Sequence, residues 1–288
     1  MIDKVDLVMW AKNGESVLPE VLKRIDEVVP CEHVCHKILV DDHSIDRTIE
    51  IAKDFNWDVY PNPKGGIPSG ANEALRHVDC DFFISVEQDV VLARDWWDKI
   101  PPYMDNDKNA VAQGIRMSTE PTLRKLDEYV YSRMKWVNDP TRFGVSMDNN
   151  IFKTKIIRQL GGFPNECPVC ADTILMKKVL YETPYKWIID INVISEHIRQ
   201  SVKAHIKHAY TLTKLCAKTH YCVNEAQQPL LYMLRLFLTS PIRASIIAYK
   251  KRIPEMLYIY PAIRYQKLKA CIDGKLEEQC KFIHYARE

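Results

Sequence analysis

Lys37-Ile38-Leu39-Val40-Asp41-Asp42-His43-Ser44-Ile45-Asp46-Arg47-Thr48 decides how this chain is read. An apolar strand, Lys37 to Val40, runs into two adjacent carboxylates, and a helix is predicted from about Ile45 to Phe55. The same alternation extends to both sides. Val5 to Trp10 is a short apolar run and Val17 to Val28 has helical periodicity. Downstream come a strand at Trp57 to Tyr60, a helix at Ser69 to His77 and a strand at Phe82 to Val86. Strands alternating with helices predict an α/β fold with a mainly parallel sheet built from right-handed crossovers. Ligands of such sheets sit beyond the carboxyl ends of the strands, which singles out Asn13, Asp41, Asp42, Glu87 and Asp89.

Beyond Trp97 the pattern is mixed. A strand is predicted at Ala110 to Ile115, a helix around Leu123 to Trp136 and an apolar stretch from Phe143 through Phe152. A turn at Gly161-Gly162-Phe163-Pro164, a helix from about Asp172 to Tyr181 and a strand at Lys186 to Ile191 follow. From Gln200 the chain reads as helical, with breaks at Pro229, Pro241, Pro254 and Pro261, where proline removes a backbone donor.

The 288 residues suit one large α/β domain with a C-terminal appendage, and 47% hydrophobic with 27% charged residues excludes collagenous and disordered classes. A net charge of +2 gives no reason to expect nucleic acid. The charge is nevertheless uneven: from Arg199 onward 16 Lys or Arg face 6 Asp or Glu, a local +10 against −8 before it. Together with the apolar segments Leu230 to Leu238 and Ile253 to Tyr265, this basic tail points to an anionic membrane surface. A helical subdomain or a homo-oligomer contact would use the same residues. No apolar run approaches the roughly 20 residues of a spanning helix, because Arg235, Arg243, Lys250, Lys251 and Arg252 interrupt the tail. Nine cysteines and an N-terminus without a leader pattern predict reduced thiols and a cytoplasmic protein, peripheral at the cytoplasmic face of the membrane.

Asp42 and Ser44 are N-cap residue types for the helix that follows. Capping does not call for two adjacent carboxylates at the end of a buried strand, and a carboxylate there can accept hydrogen bonds from a base or a ribose. Glu87-Gln88-Asp89 likewise follows a strand directly. Two carboxylates one residue apart at a strand end can both reach a hard divalent cation that bridges phosphate oxygens.

Taken in order, Val8 to Glu15, Val40 to Asp46, the Gly65 to Asn72 loop, Glu87-Gln88-Asp89, Gly161-Gly162-Phe163 and Asp172 resemble a family 2 glycosyltransferase with the GT-A fold. The resemblance implies a catalytic domain over 1–200, with a nucleotide-binding half at about 1–110 and an acceptor half at about 111–200, and a helical, basic extension over 201–288. It implies that Ala11, Asn13, Glu15, Asp41, Asp42, Gly66 and Asn72 hold the nucleotide, with Asp41 on the base. Asp89, with Glu87 and His197, would handle Mn²⁺ or Mg²⁺; Asp148, Asn149, Gly162 and Phe163 would line the sugar and acceptor pocket; Asp172 would be the catalytic base. Blander readings stand beside three of these: His197 as a loop histidine, Met147-Asp148-Asn149-Asn150 as a β-turn, and Asp172 as the N-cap of its own helix. The chain also departs from the family pattern. Glu87 stands where an aspartate is usual, Trp10 where a proline is usual, Gly70-Ala71-Asn72 where Ala-Arg-Asn is usual, and Ala171-Asp172 where Glu-Asp is usual.

The activity so implied is inverting transfer of a sugar from a UDP- or GDP-sugar to the hydroxyl of a lipid-linked or cell-surface glycan precursor. A carboxylate base removes the acceptor proton as the oxygen attacks the anomeric carbon. A polyprenyl-phosphate sugar synthase is the alternative enzyme, and its ionised acceptor would need Asp172 less. A module that binds nucleotide-sugar or glycan without turnover is the alternative of another class. A nucleotidyltransferase would want a glycine-rich loop after the first strand, and Trp10-Ala11-Lys12-Asn13-Gly14-Glu15 is not one. Cys31-Glu32-His33-Val34-Cys35-His36 has metal-ligand residue types, but zinc sites draw on two separated pairs and only Cys167-Pro168-Val169-Cys170 stands as a second. Cys167 and Cys170 also have redox-motif spacing outside its usual context. Structural zinc is set aside, and the Cys167 to Cys170 stretch is read as loop packing.

Overall fold

The computed structural model describes residues 2–134, 145–165, 170–199, 201–218 and 230–285. The chain divides into two compact units, Met1–Thr119 with Val130–Ile198, and Glu120–Tyr129 with Arg199–Glu288.

In the first unit β1 (Val5–Ala11), β2 (Val34–Asp41), β3 (Asp58–Pro61) and β4 (Phe82–Ser85) are parallel neighbours in the order β3-β2-β1-β4. They are joined through α1 (Leu18–Val28), α2 (Thr48–Asp54) and α3 (Ile67–Arg76). β5 (Val90–Val91), α4 (Trp96–Lys99), β6 (Asn109–Ser118), α5 (Pro121–Met134), β7 (Asn150–Lys153), α6 (Thr154–Gln159), α7 (Ala171–Glu182) and β8 (Lys186–His197) follow, with α5 entering the second unit. The sheet continues β7-β6-β8-β5. β7 is antiparallel to both β4 and β6, and β5 is antiparallel to β8.

All seven residues of β1 are buried, so a strand covered on both faces reads as an unbroken run. Its side chains part by alternation. Leu7, Met9 and Ala11 join Leu18, Leu22, Ile25 and Trp96 on one side; Val8 and Trp10 join Ile38, Val40, Phe83, Phe152 and Phe163 on the other. α1 turns Leu18, Val21, Leu22, Ile25 and Val28 inward at helical spacing. Each such side chain fully buried contributes about 1.5–3 kcal/mol.

Several boundaries differ from expectation for physical reasons. α2 begins at Thr48 rather than Ile45, and the segment before it is held as a loop: the Ser44 and Ile45 amides donate to Asp41 Oδ2 (3.0 Å) and Asn13 Oδ1 (2.9 Å), and His43 has a left-handed φ of +61°. Neither Asp42 nor Ser44 caps it; Asp46 Oδ1 accepts from the Thr48 amide at 3.0 Å. β8 runs past Ile191 to His197 through a register shift against β6, between Gly114↔Asp190 and Ile115↔Ile194. The last part of the predicted Leu123 to Trp136 helix, the start of the Phe143 to Phe152 stretch, and Cys167 lie outside the described residues.

The second unit holds α8 (Val202–Lys218), α9 (Leu230–Leu238), α10 (Ser240–Lys251) and α11 (Met256–Tyr285). Ile247, Ile253, Met256 and Ile259 form its core with Leu126, Tyr129 and Val202. Pro241 opens α10 and Pro254 separates α10 from α11, as predicted. Pro261 does not break the chain: it sits inside α11, near the helix start, where its missing N–H removes one intrahelical bond. Pro229 and Gln200 lie outside the described residues.

Candidate active site

Reciprocal hydrogen bonds zip the loop after β1 to the loop after β2. The Asn13 amide donates to Ser44 Oγ (2.9 Å), the Gly14 amide to Thr48 Oγ1 (2.7 Å) and the Glu15 amide to Asp46 Oδ2 (3.0 Å). Glu15 Oε2 in return accepts from the Arg47 amide at 3.3 Å. Asn13 and Glu15 thus shape the loops. Asp42 ties in the loop after β3: its Oδ1 accepts from Asn62 Nδ2 (3.0 Å) and the Gly66 amide (3.1 Å), and its Oδ2 pairs with Lys12 Nζ at 3.1 Å. Beside it, buried Asp41 accepts from Ser44 through Oδ2, while its Oδ1 is buried without a hydrogen-bond partner.

These loops and the segment after β4 enclose a pocket of about 310 Å³ at the carboxyl ends of the parallel strands, lined by Trp10, Ala11, Lys12, Asp42, Asn62, Gly66, Ile67, Glu87, Gln88 and Asp89. Gln88 is pinned by two bonds to the Lys12 backbone, at 2.8 and 3.1 Å. The ladder Val90↔His197 between β5 and β8 carries His197 to Asp89, and His197 Nε2 lies 3.2 Å from Asp89 Oδ2. His197 is therefore a strand residue beside the acid-x-acid motif. Burial opposes ionisation of Asp89, but the His197 contact and the Arg116 charge hold its carboxyl below the usual value.

Glu87 turns to Arg116, an arginine at the end of β6 that bridges it (3.2 Å) and fully buried Asp148 (2.7 Å). Burial, then the charges of Asp148 and Asp89, push the Glu87 carboxyl up to about 8, with Arg116 opposing. Asp172 is in the first turn of α7, two residues past the N-cap, which is Cys170. Burial lifts the Asp172 carboxyl to about 6, against the pull of the Thr173 amide and the Arg116 charge.

Four expected contact residues are placed elsewhere. Asn72 bonds the backbone of Phe163 at both its ends (2.7 and 2.8 Å), clamping α3 to the Gly161-Gly162 turn. A Cβ on Gly162, whose φ is +82°, would stand 2.3 Å from Asn72 Oδ1. Phe163 is buried against Trp10, Phe83 and Phe152. Asn149 is buried too, accepting from Ser195 Oγ (2.9 Å) and donating to the Ile115 carbonyl (3.1 Å). None of these four lines the pocket described above.

The family model of glycosyl transferase family 2 matches residues 6–181, the span that contains both zipped loops, the pocket and Asp172. The chain belongs to that family. Solved structures similar to this glycosyltransferase include the mannosyltransferase PcManGT from Pyrobaculum calidifontis in complex with GDP-Man and Mn²⁺, at 15% identity over 95% of this chain and 87% of that one, TM-score 0.67. Glucosyl-3-phosphoglycerate synthase from Mycobacterium tuberculosis, in complex with Mn²⁺, UDP and phosphoglyceric acid, is similar at 12% identity over 77% and 80%, TM-score 0.55. TarS of S. aureus in complex with UDP is similar at 13% identity over 96% and 91%, TM-score 0.53. At such identities the likeness is one of fold, and the fold is GT-A. No curated protein matches the chain by sequence.

Sequence reasoning passed over four polar residues of this glycosyltransferase's site: Lys12, Asn62, Gln88 and Arg116. Only Arg116 had a signal. It is the one charged residue between Ala110 and Ser118, and a charge in a strand of that character must be paired when buried.

Proposed function

We propose that this glycosyltransferase inverts the anomeric centre as it moves a sugar from a UDP- or GDP-sugar to a hydroxyl acceptor, a lipid-linked or cell-surface glycan precursor. The observation that carries the reading is the pocket at the carboxyl ends of the parallel strands with Asp89 in its wall and His197 Nε2 3.2 Å from that carboxylate, together with Asp172, a buried carboxylate with a pKa of about 6 in the first turn of α7. The orphaned, buried Asp41 Oδ1 suits a base N–H, and the Lys12 ammonium at the pocket wall suits a diphosphate. The carboxylate and imidazole donors of Asp89 and His197 fit Mn²⁺ or Mg²⁺, which when bound supplies positive charge for the departing diphosphate. Asp172 takes the acceptor proton as the new bond to the anomeric carbon forms and the bond to the diphosphate oxygen breaks.

A panel of UDP- and GDP-sugars, each offered with hydroxyl and polyprenyl-phosphate acceptors, tests this by nucleotide release. Metal-dependent release from one donor with a hydroxyl acceptor is expected. A donor that binds without release under every condition would return the chain to the binding-module reading.

The tail favours a lipidic acceptor and a peripheral position at the cytoplasmic face of a membrane. Among the described residues no single helix is long and apolar enough to cross a membrane, and one pair, α9 with α10, bent by 47°, has the length and composition together. Leu231, Leu234, Leu238, Ile242, Ile246 and Tyr249 are exposed along that pair, interspersed with exposed Arg235, Arg243, Lys250 and Lys251. An apolar stripe with basic neighbours complements an anionic bilayer. Changing Leu231, Ile242 and Tyr249 together to Asp is expected to weaken sedimentation with anionic vesicles by at least about tenfold, because each buried apolar side chain contributes roughly 1.5 kcal/mol or more. Equal sedimentation of variant and wild type would remove the membrane role.

A further inference from the structure

Asp6 is a fully buried carboxylate at the second position of β1, and a buried charge requires partners. Its Oδ1 accepts from the His36 amide (3.1 Å) and lies 2.9 Å from His36 Nδ1. Its Oδ2 accepts from the Asp79 and Cys80 amides, at 2.6 and 2.8 Å. Strand register explains the convergence. Between the pairs Val5↔Val34 and Leu7↔Lys37, β2 carries one residue more than β1, a bulge at Cys35-His36. On its other side Asp6 pairs with Phe83, just beyond Cys80. Two thiols are thereby brought to one carboxylate: the ligand atoms of Asp6, Cys35 and Cys80 all lie within 4.8 Å of one another, and both cysteines are free.

We propose that Asp6, Cys35 and Cys80 form a site for a soft divalent cation, Zn²⁺ by its donor set, at the amino ends of β1, β2 and β4, the pole opposite the donor pocket. Two thiolates with one carboxylate suit zinc, whereas Mg²⁺ prefers oxygen alone. Zn–S near 2.3 Å and Zn–O near 2.0–2.2 Å set ligand atoms roughly 3.5–4 Å apart in a tetrahedron, so shifts of about 1 Å close the site. The amides on Asp6 orient its carboxylate as outer partners orient metal ligands. Access is open: Cys35 is exposed, and Cys80 borders a hollow of about 430 Å³ shared with Asp79, Asp81, Thr154, Lys155, Arg158 and Gln159. A water completes the fourth position, and His36 Nδ1, 2.9 Å from Asp6 Oδ1, supports the carboxylate from outside. Uptake releases two thiol protons to solvent, and the bound ion ties three adjacent strands together. The partner for Cys35 is thus supplied by the fold, through Cys80, with no need of the Cys167-Cys170 pair.

The test is a Co²⁺ titration of the metal-stripped, reduced full chain, read by thiolate-to-cobalt charge-transfer absorption, which Asp89 and His197 cannot produce. One Co²⁺ per chain is expected to give the band, Zn²⁺ to displace it, and Zn²⁺ to raise the melting temperature. Cys35→Ser and Cys80→Ser should each weaken Co²⁺ at least about a hundredfold, since losing an outer partner alone costs about 10–100-fold. Cys31→Ser should change nothing. Cys35→Ser alters an exposed side chain, so its circular dichroism should match that of the wild type. Absence of the band in the wild type, or a band that survives both the Cys35 and Cys80 substitutions, overturns the proposal. So does a Cys35–Cys80 disulfide in a chain whose reduced form takes up no cobalt.

Discussion

Asp172→Asn is expected to leave donor affinity unchanged while lowering turnover onto a hydroxyl acceptor by about 10²–10⁴-fold. The amide keeps the size of the carboxylate and can still accept from Thr173, whose amide (2.6 Å) and hydroxyl (3.2 Å) both reach Asp172 Oδ1, so the start of α7 should hold its shape. What is lost is the basic form. Burial raises this carboxyl to about 6, close to the operating range in which a general base is most effective. The sign follows directly: the ionised form is the active one, so kcat/KM should climb as pH rises through about 6 and level off above it. Steady-state profiles of wild type and variant, with donor titrations, check both statements. Unchanged turnover onto a hydroxyl would remove Asp172 as base. Turnover retained only with a phosphate acceptor, already ionised, would favour the polyprenyl-phosphate reading.

Arg116→Met is expected to lower folding stability by about 3–5 kcal/mol, the range for breaking a buried ion pair from one side. The methionine roughly fills the arginine stem but leaves fully buried Asp148, 2.7 Å from the lost guanidinium, without a cation, and Glu87 loses its partner at 3.2 Å. Asp148 already has one oxygen without a hydrogen-bond partner. The acidic neighbours hold Arg116 charged despite its burial, so the pairing persists across ordinary pH. Denaturant unfolding at neutral pH should show the deficit. A deficit below about 1 kcal/mol, the worth of an exposed pair, would mean that solvent reaches the cluster.

Local patterns made the parallel part of the sheet, β1 to β4, legible in the sequence. The unbroken apolar run of β1 and the carboxylates at the ends of β2 and β4 are legible because each arises within a few residues. Non-local features were not. β5 is only Val90–Val91, too short for any periodicity, yet its pairing with β8 sets His197 beside Asp89 across 108 residues. The reversed direction of β7 leaves no trace in composition. Asn72 and Asn149 lie at motif positions, but their hydrogen bonds run to backbone groups far along the chain, which only the folded register reveals. Asp6 was passed over because one acid in an apolar run shows nothing of its partners, which lie 30 to 74 residues along the chain. Proline at 261 misled because its cost depends on its place in the helix.

Calorimetric donor binding by the wild type and by Asp89→Ala, across UDP- and GDP-sugars with Mn²⁺ or with chelator, tests the central claim most directly. The account predicts that one donor binds the wild type at least about tenfold more tightly with Mn²⁺ than with chelator, a difference of about 1.4 kcal/mol, and that Asp89→Ala binds it equally weakly in both. An Asp89→Ala chain that binds the donor as tightly as the wild type, with the same response to Mn²⁺, would contradict it.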